Sequence, residues 1–156
     1  MQINMGLPNL PRVLAGFPGV GKSTLFRNDP ERYADSDSST FDKANFPANY
    51  IEHIQHLLDT TDKTIFVSTH DDVRAALDEA GIQFVLVYPD ASLKPAFMER
   101  YAGRGSPQPF LDLMHNKFDD FVQQCEDFES SCCNKVKLTE PDQNMQYAMQ
   151  SLGFKC

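Results

Sequence analysis

The chain has 156 residues and a formal net charge of −8, with 14 lysines and arginines against 22 aspartates and glutamates. Its length favours a single domain spanning residues 1–156, and its acidity argues against a broad nucleic-acid interface, which needs a basic face. No apolar run approaches the roughly 20 residues that cross a bilayer and no secretory signal pattern opens the chain, so we expect a cytoplasmic protein.

Apolar runs and amphipathic segments alternate along the chain, with short polar connections between them. In chain order they predict a strand at 12–15, a helix at 22–28, a strand at 33–34, a helix at 50–58, a strand at 64–68, a helix at 71–80, a strand at 82–88, helices at 92–102 and 109–128, a strand at 135–138 and a helix at 142–152. This alternation indicates a parallel α/β sheet with right-handed crossovers. In such sheets ligands bind beyond the carboxyl ends of the strands.

The connection between the first predicted strand and the first predicted helix reads Gly-Phe-Pro-Gly-Val-Gly-Lys-Ser-Thr. It matches G-x-x-x-x-G-K-[ST], the phosphate-binding loop. Its glycines let the backbone approach a phosphate, and successive N–H groups and the helix N-terminus then surround the anion. We therefore expect the loop to bind ATP or a related triphosphate with Mg²⁺. The expected binding residues are Gly16, Phe17, Pro18, Gly19, Val20, Gly21, Lys22, Ser23 and Thr24.

Four side chains of this loop have separate expected roles. Lys22 reaches the β and γ phosphate oxygens as a point charge and is a catalytic residue. The Ser23 hydroxyl ligates Mg²⁺, which prefers oxygen ligands. Thr24 meets the α-phosphate, and Pro18 stiffens the loop.

Two carboxylates, Asp35 and Asp37, follow the short second strand. Beside a phosphate loop, either could accept the proton of an attacking hydroxyl or hold a magnesium-bound water. We favour Asp37 slightly, also as a metal ligand. The alternative is a solvated turn rich in aspartate and serine.

The third strand ends in Ser68, where many phosphate-loop proteins carry an acidic residue that meets magnesium. His70 follows at the predicted mouth of the site, where it could bind an acceptor. Arg74, at the start of the next helix, could hold the phosphate or base of that acceptor. The nearby Asp71 and Asp72 could instead serve only as a cap for the helix.

Arg100 and Arg104 are four residues apart, and Gly103 and Gly105 flank Arg104. If the helix persists that far, the two guanidinium groups share one face. On a mobile flap they would close over the triphosphate, stabilise the transferring charge and exclude water. The alternative is a solvated basic pair at the end of a helix.

Together these features resemble the small nucleoside and nucleotide kinases of the adenylate-kinase-like branch of phosphate-loop proteins. A closer similarity is to a compact family of kinases common in bacteriophage genomes. It rests on the segments 16–24, 35–39, 46–51, 67–74 and 99–107.

The resemblance implies a three-layer α/β/α P-loop fold with a five-stranded parallel sheet in the order 2-3-1-4-5. It implies a short lid at 100–107 and an acceptor-binding flap at 35–50, in which Ser38 would contact the acceptor. It also implies ATP as the donor, Mg²⁺ as the metal and the host cytoplasm as the place of action. The chain lacks the Asp-Gly pair that often follows the third strand of nucleoside monophosphate kinases, so the acceptor stays open.

Three functions remain in view. The first is an ATP-dependent phosphotransferase that phosphorylates a nucleoside, a nucleotide or a related small molecule. The second is a kinase of hydroxymethylated bases or ends in DNA, which the net charge of −8 disfavours. The third is a non-catalytic nucleotide-binding switch, which would need neither the arginine pair nor the acidic flap.

Overall fold

The computed structural model describes residues 11–36 and 41–152. Within them the chain forms one parallel sheet of five strands, with six α-helices around it. The strands are β1 (Val13–Gly16), β2 (Tyr33–Asp35), β3 (Thr64–Val67), β4 (Phe84–Pro89) and β5 (Cys133–Leu138). The helices are α1 (Lys22–Asn28), α2 (Ala48–Thr60), α3 (Asp71–Glu79), α4 (Lys94–Gly103), α5 (Gln108–Asp127) and α6 (Met145–Ser151), and a short 3₁₀ helix, Ala91–Leu93, precedes α4. Across these two ranges, no helix combines the length and the hydrophobicity needed to cross a membrane.

The strands follow the order β2-β3-β1-β4-β5, and all neighbouring pairs are parallel. This confirms the predicted α/β class and strand order. The buried strand β1 lies in the centre, where Leu14 pairs with Phe66 of β3 and with Val85 of β4. The chain runs from β1 towards β2 and later back towards β5, so right-handed crossovers place helices on both faces of the sheet. The result is a three-layer fold.

Strand β4 includes Pro89, which the sequence analysis placed after the end of the strand. The predicted end of the strand at residue 88 was wrong, because residue 89 can belong to the strand without a backbone N–H group. The N–H groups of Phe84 and Asp90 both donate towards β5, at 2.9 and 2.8 Å, so the nitrogen of residue 89 faces β1. The pairing of β1 has already ended there, with Gly16 opposite Val87. Proline is tolerated in a strand where no ladder hydrogen bond is lost.

Helix α6 begins at Met145 and not at residue 142 as predicted. Asn144 is its N-cap, and its side-chain oxygen accepts a hydrogen bond from the Tyr147 amide at 3.0 Å. Asparagine is a strong N-cap residue because it satisfies an amide that has no partner inside the helix. The cap therefore sets the start of α6, and this start bears directly on the site described below.

Phe17 anchors the phosphate-binding loop in the hydrophobic core. Its side chain is fully buried and packs edge-to-face against Phe97 of α4 and Phe118 of α5, with ring centroids 6.2 and 5.2 Å away. Such aromatic pairs contribute about 0.5–1.5 kcal/mol beyond the burial of their area. The loop is thus tied to both helices that follow β4.

The central position of β1 makes Leu14 a test of the core. We expect Leu14→Ala to lower the free energy of unfolding by about 2–5 kcal/mol, because the packed layers around the fully buried side chain cannot close the cavity completely. Leu113→Ala, at a side chain that is 45% exposed, should cost well under half as much. Urea unfolding followed by circular dichroism measures both, and equal losses would contradict the packing described.

Candidate functional site

A cavity of about 630 Å³ opens at the carboxyl ends of β1, β2 and β3. It brings together loop residues, the first predicted carboxylate and both predicted arginines. Of the predicted site residues it is lined by Pro18, Gly19, Gly21, Lys22, Ser23, Thr24, Asp35, Arg100 and Arg104. The predicted residues Asp37 and Ser38 lie outside the described part of the chain.

Helix α4 holds two carbonyl groups of the loop. The hydroxyl of Tyr101 donates to the Pro18 carbonyl at 2.7 Å, and Arg100 donates through Nη1 to the Gly19 carbonyl at 2.8 Å. Burial raises the pKa of Tyr101, so this hydroxyl stays protonated and keeps its role as a donor. Both carbonyl groups are therefore held by side chains of α4.

The start of α6 and the loop lysine hold two further carbonyl groups. The amide of Met145 donates to the Val20 carbonyl at 2.7 Å, and Lys22 Nζ donates to the Gly16 carbonyl at 2.6 Å. A loop whose carbonyl groups bond to the surrounding protein can present its N–H groups to a bound anion. Lys22 Nζ also lies 3.4 Å from the Val67 carbonyl, so its charge sits between the ends of β1 and β3.

Two glycines are required by the shape of this loop. Gly19 and Gly21 have φ angles of +92° and +103°, which L side chains rarely adopt. A Cβ atom on Gly19 would also lie 2.8 Å from Cε1 of Tyr101, the residue that holds the neighbouring carbonyl. Close packing of the loop on α4 therefore depends on the missing side chain.

Arg100 is more firmly engaged than the prediction of a mobile flap implied. It lies in α4, and its Nη2 donates to the carbonyls of Pro141 and Gln143 at 2.7 and 3.0 Å, in addition to its bond with Gly19. The guanidinium also lies over the Phe97 ring, 4.2 Å from its centroid. Burial lowers the pKa of Arg100. This side chain ties the phosphate loop to the segment between β5 and α6.

Arg104 has a different environment, although only one helical turn separates it from Arg100. It follows the last residue of α4, its Nε donates to the Ser106 hydroxyl at 3.1 Å, and its guanidinium lies over the rings of Tyr101 and Phe110. Only residues 104–107 are non-helical between α4 and α5. The predicted lid is therefore short, and Arg104 is its exposed arginine at the cavity.

Side chains with oxygen atoms that suit a cation also line this cavity. Asp35 ends β2 and Ser68 follows β3, and both face the cavity with the loop residue Ser23. The Ser68 hydroxyl is buried and has no hydrogen-bond partner among the residues described. Hydroxyl, carboxylate and water oxygens are the ligands that Mg²⁺ takes, so this group of side chains fits the expected metal.

Two lining residues, Arg27 and Ser36, were not predicted from the sequence. Arg27 lies in α1 three and four residues after Thr24 and Ser23, and this helical spacing could have placed all three on one face. Ser36 is only 6% exposed, and its hydroxyl lies 3.1 Å from Nε2 of His53 in α2. Only the fold brings those two residues together, so no local sequence signal identified the pair.

His70 and Arg74 do not line the phosphate cavity. His70 lines a smaller cavity that adjoins it at Pro18. Arg74 is 5% exposed, donates through Nε to the Thr69 carbonyl at 2.9 Å and lies over the Phe128 ring. A buried guanidinium held in this way supports neighbouring residues and does not reach the phosphate cavity.

Comparison of the sequence with protein-family models and with curated proteins finds no match. The resemblance to bacteriophage kinases therefore stays a prediction from the sequence segments named above.

The left-handed backbone at Gly19 can be tested by replacing this glycine and, as a control, a glycine outside the loop. Gly19→Ala should lower the free energy of unfolding by about 1–3 kcal/mol and weaken ATP binding, because a left-handed residue and a contact with Tyr101 both oppose the methyl group. Gly103→Ala is the matched control, since nothing lies within 4 Å of its Cβ position and alanine favours helix. Chemical denaturation and calorimetry with ATP measure the two effects, and similar behaviour of the variants would contradict the geometry.

The pH dependence of stability tests the environment of His53, the residue that contacts Ser36. Burial, and then the nearby His56, lower the pKa of His53 in the folded protein. In the unfolded chain the pKa of His53 is about 6.5, so the unfolded state binds this proton more readily than the folded state. The contribution of His53 to the free energy of unfolding is therefore fully present above about pH 6.5 and is lost as the pH falls through the lower folded-state pKa. We expect unfolding midpoints in urea to fall less steeply with acidification in His53→Gln, and parallel curves would contradict this.

Proposed function

We propose that the protein is a magnesium- and ATP-dependent phosphotransferase, similar to the small P-loop kinases of bacteriophages. The observation that carries the proposal is the phosphate loop itself, whose carbonyl groups bond to α4, α6 and Lys22 while the loop faces a large cavity. Three arginines and a lysine line that cavity, together with the carboxylate of Asp35. This is the charge arrangement that a transferring phosphoryl group requires.

Ser23 and Ser68 would hold the magnesium ion, directly or through water, and Asp35 would contact it only through a bound water, which leaves the carboxylate able to accept a proton. The buried Ser68 hydroxyl, which has no partner among the described residues, supports a ligand at this position. When bound, the metal neutralises charge on the β and γ phosphate oxygens. We propose the cytoplasm as the place of action, because ATP and magnesium are supplied there.

The chain's own groups would bind and orient the reactants. Lys22 would exchange its contact with the Gly16 carbonyl for phosphate oxygens, which are stronger charged acceptors. Arg104 and Arg27 would bind the remaining phosphate charge, while Arg100 keeps the loop in place through Gly19. These contacts position the γ-phosphorus in line with an attacking hydroxyl.

Asp35 would take the proton of the acceptor hydroxyl. The acceptor oxygen forms a bond to the γ-phosphorus, the bond from that phosphorus to the β,γ-bridging oxygen breaks, and ADP leaves with the electron pair. The products are the phosphorylated acceptor, ADP and a proton. A carboxylate at the end of a strand beside the loop is suited to this role.

Replacement of the loop lysine tests the proposal. Lys22→Met should weaken MgATP binding by roughly 10- to 100-fold, the effect of losing one charge-assisted contact, and should lower ATP consumption at least as much. Lys117→Met is the control, because this lysine lies on the exposed side of α5 with its side chain 55% exposed. Calorimetry and an ADP-release assay with nucleosides, monophosphates and hydroxymethylated DNA measure both properties.

The outcomes separate the three functions. Acceptor-dependent ADP release with a nucleoside or nucleotide supports the proposal, whereas transfer only to DNA would replace it with the DNA kinase. Binding of MgATP with slow hydrolysis that no acceptor accelerates would indicate a switch. Equal MgATP affinity of Lys22→Met and the original protein would refute triphosphate binding at this loop.

A further inference from the structure

A second cavity, of about 240 Å³, adjoins the phosphate cavity. It lies between the start of α3 and the long helix α5, and Pro18 lines both cavities. The two also meet at consecutive residues after β3, because Ser68 lines the first and Thr69 the second. A ligand in the second cavity is therefore next to the phosphate loop, on the other side of Pro18.

The walls of this cavity suit a flat, apolar ring with a polar edge. Helix α5 supplies Phe110, Met114 and Phe121, and polar side chains lie at Thr69 and Gln124. Aromatic and sulfur-containing side chains pack well against planar rings. Small-molecule sites commonly combine such apolar walls with a few placed polar groups.

Arg74 fixes the polar side of the cavity. Its Nε donates to the Thr69 carbonyl at 2.9 Å, and its Nη2 lies 3.4 Å from Oε1 of Gln124. With Oε1 turned towards Arg74, the amide NH₂ of Gln124 is the group left to donate to a ligand. Arg74 is thus a positioning residue. Two of the predicted acceptor residues, His70 and Arg74, are therefore associated with this cavity.

The charge of the cavity distinguishes between acceptors. Its lining, as far as the described residues show, includes the carboxylate of Asp71 and the imidazole of His70 but no lysine or arginine. A phosphate group needs cationic or multiple N–H partners, and the cations lie in the neighbouring phosphate cavity. A neutral acceptor fits the second cavity better than an anionic one.

We propose that this second cavity binds the base of an unphosphorylated nucleoside, whose sugar hydroxyl reaches past Pro18 to the γ-phosphate of ATP. The inference rests on the proposed phosphotransfer and names its acceptor. The hydroxyl oxygen forms the new bond to phosphorus, ADP leaves with the electron pair of the broken bond, and Asp35 takes the proton. The base then lies against α5, and not beside residues 35–50 as the kinase resemblance implies.

Two neighbouring glutamines test the assignment. Gln124→Leu removes the amide that lines the cavity, and Gln123→Leu removes the adjacent amide, which lies outside the cavity and bonds to Asp127. Both side chains are exposed, so both variants should fold. Calorimetry with the four deoxynucleosides and their 5′-monophosphates, in the presence of magnesium and a non-hydrolysable ATP analogue, measures acceptor binding.

We expect at least one nucleoside to bind more tightly than its monophosphate. Gln124→Leu should weaken that binding by about two- to tenfold, the net effect of one hydrogen bond, and Gln123→Leu should leave it unchanged. Affinity for the ATP analogue should be the same in all three proteins. His70→Ala, at an exposed lining residue, is a second variant that should also weaken nucleoside binding.

Three results would overturn the inference. The first is tighter binding of the monophosphates than of the nucleosides. The second is an equal effect of Gln124→Leu and Gln123→Leu on nucleoside affinity, with no effect of His70→Ala. The third is binding of the ATP analogue without binding of any nucleoside. The last result would leave the proposed phosphotransfer standing with another acceptor. If the analogue itself does not bind, the proposed function and the inference fail together.

Discussion

The site depends on the direction of a few peptide groups in the phosphate loop. The carbonyls of Pro18 and Gly19 accept hydrogen bonds from Tyr101 and Arg100, which are 83 and 81 residues away in the chain. Turning either carbonyl away would break its hydrogen bond, and loss of the Pro18 carbonyl would leave the hydroxyl of the buried Tyr101 without that partner, at a cost of about 1–3 kcal/mol. The loop is therefore shaped before a ligand arrives, and little binding energy is lost in ordering it.

Two arginines one helical turn apart, Arg100 in α4 and Arg104 just after it, have different roles. Arg100 bonds to three carbonyls on two segments through two different nitrogens, a reach that the planar guanidinium provides and that the single nitrogen of a lysine ammonium does not. Arg104 lies beyond the helix end, where residues 104–107 form the only non-helical connection between α4 and α5. Its guanidinium rests on aromatic rings and faces the cavity. The first arginine holds the loop, and the second lines the same cavity as the loop.

Local patterns were sufficient for the architecture but not for these contacts. The apolar runs around Leu14 and Phe66 identified central strands, and the glycine pattern identified the loop, because both signals lie within a few residues. Pro89 was misjudged because its tolerance depends on where β1 ends, which is a property of the sheet register. Other contacts join segments that are distant in the sequence, so local residue spacing could not predict them. They are the pairing of Ser36 with His53 and the bonds of Arg100 to its three carbonyl partners.

The charge that lines the phosphate cavity differs in sign from the net charge of the chain. Ionic screening at physiological salt limits surface charges to a range of about 8 Å, so the net charge of −8 has little influence inside the cavity. Lys22, Arg27, Arg100 and Arg104 line that cavity and dominate its local field. The second cavity has no such cation among its described lining residues, so of these two cavities only the first is lined by cationic side chains. The acidity of the whole chain repels a long polyanion, so it opposes binding along DNA more than binding of a small anion.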